Sequence, residues 1–154
     1  MTLHSPVTSD VPATAGWTLR LKVSEPTWWI WASLSLLLIA GLAGYEEARY
    51  AAMVVACCQA LAWLARHRSI AHFPTQVRTA YAIWMAASFV PLLTPMFWIQ
   101  AAGTTLLVLV GYCPLARMLL FLPTNRTVPL TLRRAARIVV HPPTAGSVLQ
   151  DLKL

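Results

Sequence analysis

Four runs of apolar residues, at 27–44, 50–65, 79–93 and 96–115, are separated only by short polar stretches. The last run continues to 122 if Arg117 is counted within it. Inside a bilayer the backbone finds no water to bond, so only helices or closed barrels can cross. None of the runs alternates polar and apolar residues with a period of two, which excludes a barrel. The expectation is an all-α polytopic integral membrane protein with four transmembrane helices arranged as two hairpins. The first run has 18 residues, a rise of about 27 Å against a hydrocarbon core of about 30 Å. The second and third are shorter, which leaves three spans as the alternative. Pro26 suits a first helical turn, and Pro91 and Pro95 break the chain between the third and fourth runs.

Composition agrees. Of the 154 residues 58% are hydrophobic and 11% charged, against roughly 25% charged in soluble domains. An ordinary soluble globule and a disordered chain are both excluded. The polar flanks are read as an N-terminal tail, 1–26, and a basic C-terminal tail, 123–154. The first of these lacks the basic start and apolar core of a signal peptide, so the first run is expected to stay as a span.

Lys and Arg number 12 against 5 acidic residues, a formal net charge of +7. Four spans with the N-terminus inside place eleven of the twelve cations on the cytoplasmic side. Only Arg49 falls outside, beside Glu46 and Glu47. This bias fits the positive-inside rule, with both termini cytoplasmic in a bacterial-type inner membrane. Trp28, Trp29, Trp31 and Trp63 then mark the inner interface, and Tyr45, Tyr50, Phe97 and Trp98 the outer one. Topology alone accounts for the basic charge, so no nucleic-acid partner is expected.

Residues 130–140 form a basic amphipathic segment in which Arg133, Arg134 and Arg137 share a face. With Arg126, they are expected to meet anionic lipid at the cytoplasmic face, the segment lying in the headgroup plane. Ala48, Ala52, Ala56 and Ala60 recur every four residues along the second run, a spacing that lets helix backbones approach closely. The seam they form is read as internal to the first hairpin, or as the contact with a membrane partner or a second copy. Gln59 and Gln100 are polar groups near membrane depth that should bond a neighbouring helix.

The chemistry left open is narrow. The four histidines lie in tails or in the loop at 66–78, which excludes a haem held by two histidines within the spans. His67 and His72 are five apart and make no metal site by themselves. No charged residue lies in the middle of a run, against ion-coupled transport. Cys57 and Cys58 are adjacent and apolar in setting, and are read as packing residues. Cys113 differs, because it precedes Pro114, and Arg117 stands four residues on. A nearby cation favours the thiolate, so Cys113 with Arg117 is the one candidate reactive thiol. The rival reading of Cys113 is packing at a helix kink. No cofactor and no metal are expected.

Gly111-Tyr112-Cys113-Pro114-Leu115, followed by Met118-Leu119-Leu120, resembles the closing motif of a small inner-membrane domain of YgaP type, one associated with rhodanese sulfurtransferases. Arg78 ahead of the third run and the Pro91–Pro95 hinge fit the same outline, over residues 78–122. The resemblance implies an inner-membrane helical hairpin and sulfur handling. The further cysteine many members carry is replaced here by Leu122-Pro123-Thr124-Asn125, and neither the first hairpin nor a rhodanese domain has a counterpart. The expectation is thus a small non-enzymatic inner-membrane protein, an accessory or interaction subunit packing against a membrane partner or itself. The alternative is thiol or sulfane-sulfur handling at the cytoplasmic face through Cys113.

Overall fold

The computed structural model describes residues 17–125, 129 and 131–143. Among them the secondary structure is entirely helical: α1 (Pro26–Leu42), α2 (Glu46–His67), α3 (Phe73–Ala87), α4 (Pro95–Val110), α5 (Pro114–Leu119) and α6 (Leu132–Val140), with single 3-10 turns at Pro91–Leu93 and Pro123–Asn125. The first four form an antiparallel bundle in which α1 packs against α2 and α4, and α2 against α3. The short α5 and α6 pack on each other at one end, with α5 also touching α3.

The helices begin and end where the local chemistry directs. Proline occupies the first turn of α1, α3, α4 and α5, where a missing N–H costs nothing. Glu46 and Glu47 form the first turn of α2, and Arg66 and His67 its last. Both placements oppose the helix dipole favourably. The Glu46–Glu47 stretch, which lies between the first two apolar runs, is therefore helical. Gly111, with φ at +74°, ends α4 in the left-handed region, where glycine avoids the penalty of a Cβ.

These boundaries overturn the expectation of four transmembrane helices. Among the described residues only α2, with 22 residues, is long and apolar enough to cross a membrane. Helices α1, α3 and α4 have 17, 15 and 16 residues, rises of about 25, 22 and 24 Å. Each falls short of a hydrocarbon core of about 30 Å. The first run stops at Leu42, before Gly44. The third helix starts six residues earlier than expected, at Phe73-Pro74, and finishes at Ala87. The fourth is cut at Val110 rather than continuing through Pro114. With one such helix, the alternation of sides that placed both termini in the cytoplasm has no support.

The core of the bundle is built on Leu34 and Leu38 of α1, Ala52 and Ala56 of α2, Met85 of α3 and Phe97 of α4, all fully buried or nearly so. Close approach is enforced at Gly41, where a Cβ would lie 2.6 Å from Arg49 Cγ and 3.0 Å from Phe97 Cζ. Polar ties cross the bundle as well. Ser35 and Thr105 share a hydrogen bond of 2.9 Å between α1 and α4, and Trp28 Nε1 donates to the Val108 carbonyl at 3.0 Å.

Candidate functional site

Three arginines, two of them loop or turn markers in the sequence, are packed into the fold. Arg78, on the second turn of α3, is buried; its guanidinium stands 3.8 Å from the Trp63 ring centroid and 5.8 Å from that of Trp31. Its Nη1 donates to the Pro74 carbonyl one turn earlier. Arg117, on α5, is buried too, lies 4.4 Å from the centroid of Tyr112 and donates to the Ile138 carbonyl of α6. Arg49 is sandwiched at the opposite end between Phe97, at 4.9 Å, and Phe89, at 5.2 Å. A guanidinium over an aromatic face is held by the ring quadrupole and keeps its flat, weakly hydrated surface covered.

A half-open cavity of about 60 Å³ lies where α3, α4 and α5 meet. Its walls include Trp31, Tyr81, Trp84, Gln100, Thr104 and Cys113. Thr104 Oγ1 donates to the Gln100 carbonyl at 2.7 Å and lies 2.9 Å from the Tyr81 hydroxyl. A threonine hydroxyl has one proton, so the Tyr81 hydroxyl must be the donor of that second bond. Gln100 Nε2 donates to the Tyr81 carbonyl at 3.2 Å, which fixes the amide orientation and points its oxygen elsewhere.

Cys113 stands on the cavity wall, half-buried, and its sulfur accepts the Ala116 N–H at 3.4 Å as the N-cap of α5. Burial pushes its thiol above the ordinary range, against opposing pulls from the Ala116 and Leu115 N–H groups and the charges of Arg117 and Arg78. The charge of Arg117 favours the Cys113 thiolate, but desolvation outweighs it, and the neutral thiol is the favoured form. Nor does Pro114 kink a continuous helix: it starts a new one, capped by Cys113.

The basic amphipathic segment is α6. Thr131 caps it, its side chain accepting the Arg134 N–H. Arg133 and Arg137 are exposed and Arg134 half-buried, while Leu132 and Val140 on the neighbouring face are 90% and 70% exposed. Ile138 alone is buried, turned towards the bundle. Arg126 lies outside the described residues. Of the alanine series, Ala52 and Ala56 are buried in the core and Ala48 and Ala60 are half-buried. Gln100 bonds α3 from α4, as a polar group at depth should. Gln59 is buried with neither amide atom partnered.

Sequence reasoning missed Arg78 as an interior residue. The signal was present: Phe73-Pro74 after His72 is a helix start, and extending α3 back to it carries Arg78 in. The sequence marked Gln100 as a group that should bond a neighbouring helix, but not its partners Tyr81 and Thr104, which stand 23 residues apart from each other. No family model, curated protein or solved structure matches the chain.

Proposed function

We propose that this chain is a small, non-enzymatic, membrane-associated protein, an accessory or interaction subunit that packs against a membrane partner or a second copy of itself. The observation that carries the reading is the outer surface of the bundle. Leu36 and Ile39 of α1, Val54 and Leu61 of α2, Ile83 of α3 and Trp98 of α4 are all exposed. So large an apolar surface calls for lipid or another protein to cover it. Helix α2 has the length and composition of a span. Helix α6 presents exposed apolar residues beside exposed arginines, the pattern of a helix lying on an anionic membrane surface, here that of a bacterial inner membrane.

The test is affinity purification of the full chain from native membranes in mild detergent, beside chemical crosslinking of the pure chain in nanodiscs. A stoichiometric membrane partner, or a crosslinked dimer, is the expected result. A chain that is monomeric in both settings contradicts it.

A second reading has one observation in its favour: Cys113 lines a cavity, within the electrostatic reach of Arg117 and Arg78. It is thiol or sulfane-sulfur handling, which the resemblance over residues 78–122 also implies. Cys113→Ser separates the two, since an interaction subunit keeps its partner with serine there and a thiol carrier loses its activity.

A further inference from the structure

We propose that the cleft bounded by Thr131, Arg133, Arg134 and Arg137 is a site for the phosphomonoester headgroup of a membrane lipid, of which phosphatidic acid is the simplest. The proposal rests on the membrane reading above and names the lipid chemistry that α6 selects. The cleft is open on one side and has a volume of about 210 Å³. One water takes roughly 30 Å³, so a phosphate group fits.

The side-chain groups left free in the lining are all hydrogen-bond donors. The Thr131 hydroxyl accepts the Arg134 N–H at 3.4 Å, which leaves its proton to give. Arg134 spends Nη1 on the Pro129 carbonyl at 3.0 Å, a bond that holds its guanidinium in place. Arg133 and Arg137 are exposed, and the one ion pair among the described residues is elsewhere. No described carboxylate is at hand to neutralise them: Glu25 pairs with Lys22, and Glu46 and Glu47 begin α2 at the opposite end of the bundle. A lining of donors takes a ligand that brings acceptors and negative charge.

The count of donors selects among anions. A phosphomonoester has three terminal oxygens and close to two negative charges at neutral pH. A phosphodiester headgroup has two free oxygens and one charge. Guanidinium forks bind phosphate oxygens in pairs, so three forks and a hydroxyl are better matched by three oxygens than by two. The lipid source follows from the neighbouring face, where Leu132 and Val140 are 90% and 70% exposed. A headgroup brings acyl chains that cover them, and free phosphate does not.

The experiment applies phenylglyoxal, which modifies guanidinium groups, to the full chain in phosphatidylcholine nanodiscs. The discs carry phosphatidic acid or phosphatidylglycerol at equal surface charge, and modification is read at each arginine by mass spectrometry. Phosphatidic acid is expected to slow modification of Arg133 and Arg137 about tenfold more than phosphatidylglycerol does. The exposed Arg66 and Arg68 should respond alike to the two lipids. Inorganic phosphate, with discs of phosphatidylcholine alone, should change none of the four rates. Arg134→Gln is expected to bring protection by phosphatidic acid down to that by phosphatidylglycerol. Equal protection of Arg133 and Arg137 by the two lipids, or a preference that survives Arg134→Gln, overturns the site and leaves the membrane reading standing. Equal protection by inorganic phosphate overturns the lipid source. No protection of any of the four arginines by either lipid overturns the membrane reading and the site together. The lipid comparison needs only the native chain, so it decides even if the variant fails to fold.

Discussion

At one end of the bundle Arg49 lies between Phe89 and Phe97, with Glu46 and Glu47 just before it on α2. At the other end, where α1 and α3 begin and α2 and α4 finish, cations crowd together. Arg66 and Arg68 close α2, Arg78 stacks on Trp63, Arg117 on Tyr112, and α6 adds Arg133, Arg134 and Arg137. The one ion pair between described residues, Lys22 with Glu25 at 3.0 Å, also stands there and is exposed. The far end uses its arginine as mortar in an aromatic seam. The basic end buries two, half-buries Arg134, and leaves Arg66, Arg68, Arg133 and Arg137 exposed. That contrast makes the two ends of this bundle chemically unequal.

The largest effect should come from the far end. Phe97→Ala removes a buried wall of the core and one face of the Arg49 sandwich, and should lower unfolding stability by about 3–5 kcal/mol. A loss below about 1 kcal/mol would show that the seam is not structural. At the basic end, Arg78→Ala is expected to cost about 2 kcal/mol, whereas Arg78→Met, which keeps the stem against Trp63, should stay near the native value. If methionine is as damaging as alanine, the charge itself is needed and the packing account of Arg78 fails.

Smaller changes sharpen the difference between buried and outward cations. Arg117→Met removes the hydrogen bond to the Ile138 carbonyl, worth about 1.5 kcal/mol for a charged donor. Amide exchange over 132–140 should speed up while the four long helices keep their protection. Uniform loosening of the whole bundle would contradict that placement. Cys113→Ser retains an N-cap acceptor for Ala116 and should alter stability by less than about 0.5 kcal/mol.

The raised thiol of Cys113 favours its neutral form in the folded state. Its contribution to stability is complete below the ordinary thiol range, about pH 8.5, and is lost as pH rises through the raised value. Alkylation of Cys113 should accordingly keep accelerating above that pH. A rate already level at pH 8.5 would mean an activated thiolate.

Much of the helical skeleton was legible, because apolar runs punctuated by prolines leave few other choices. Pro26, Pro95 and Pro114 each open a helix. Helix length was not legible to the same degree. Hydropathy sums over side chains, but a helix ends where the backbone turns, as at Gly44 and Gly111. Treating the run through Pro114 as continuous therefore gave a span that the fold does not contain. The segregation of charge survives in altered form, as two unlike ends of a bundle. Arg49 and Arg78 look like loop markers because a stacked guanidinium and a solvated one are identical in sequence. The cavity was invisible for a related reason: it is made by side chains from four helices, and although Trp31, Gln100 and Cys113 each stood out in the sequence, nothing there joined them.

The most direct test of the central claim compares the two ends in lipid. A solvatochromic label is attached at Leu132→Cys on α6, or at Tyr45→Cys at the opposite end, in a chain carrying Cys57→Ala, Cys58→Ala and Cys113→Ser. Each is placed in nanodiscs of phosphatidylcholine, with or without phosphatidylglycerol. The label at 132 is expected to shift to the blue when the anionic lipid is present and to revert when Arg133, Arg134 and Arg137 are changed to Gln, while the label at 45 stays indifferent to lipid charge. Equal responses at the two positions, or a shift at 132 that survives loss of the three arginines, would contradict the claim that the basic end is the one that meets an anionic membrane.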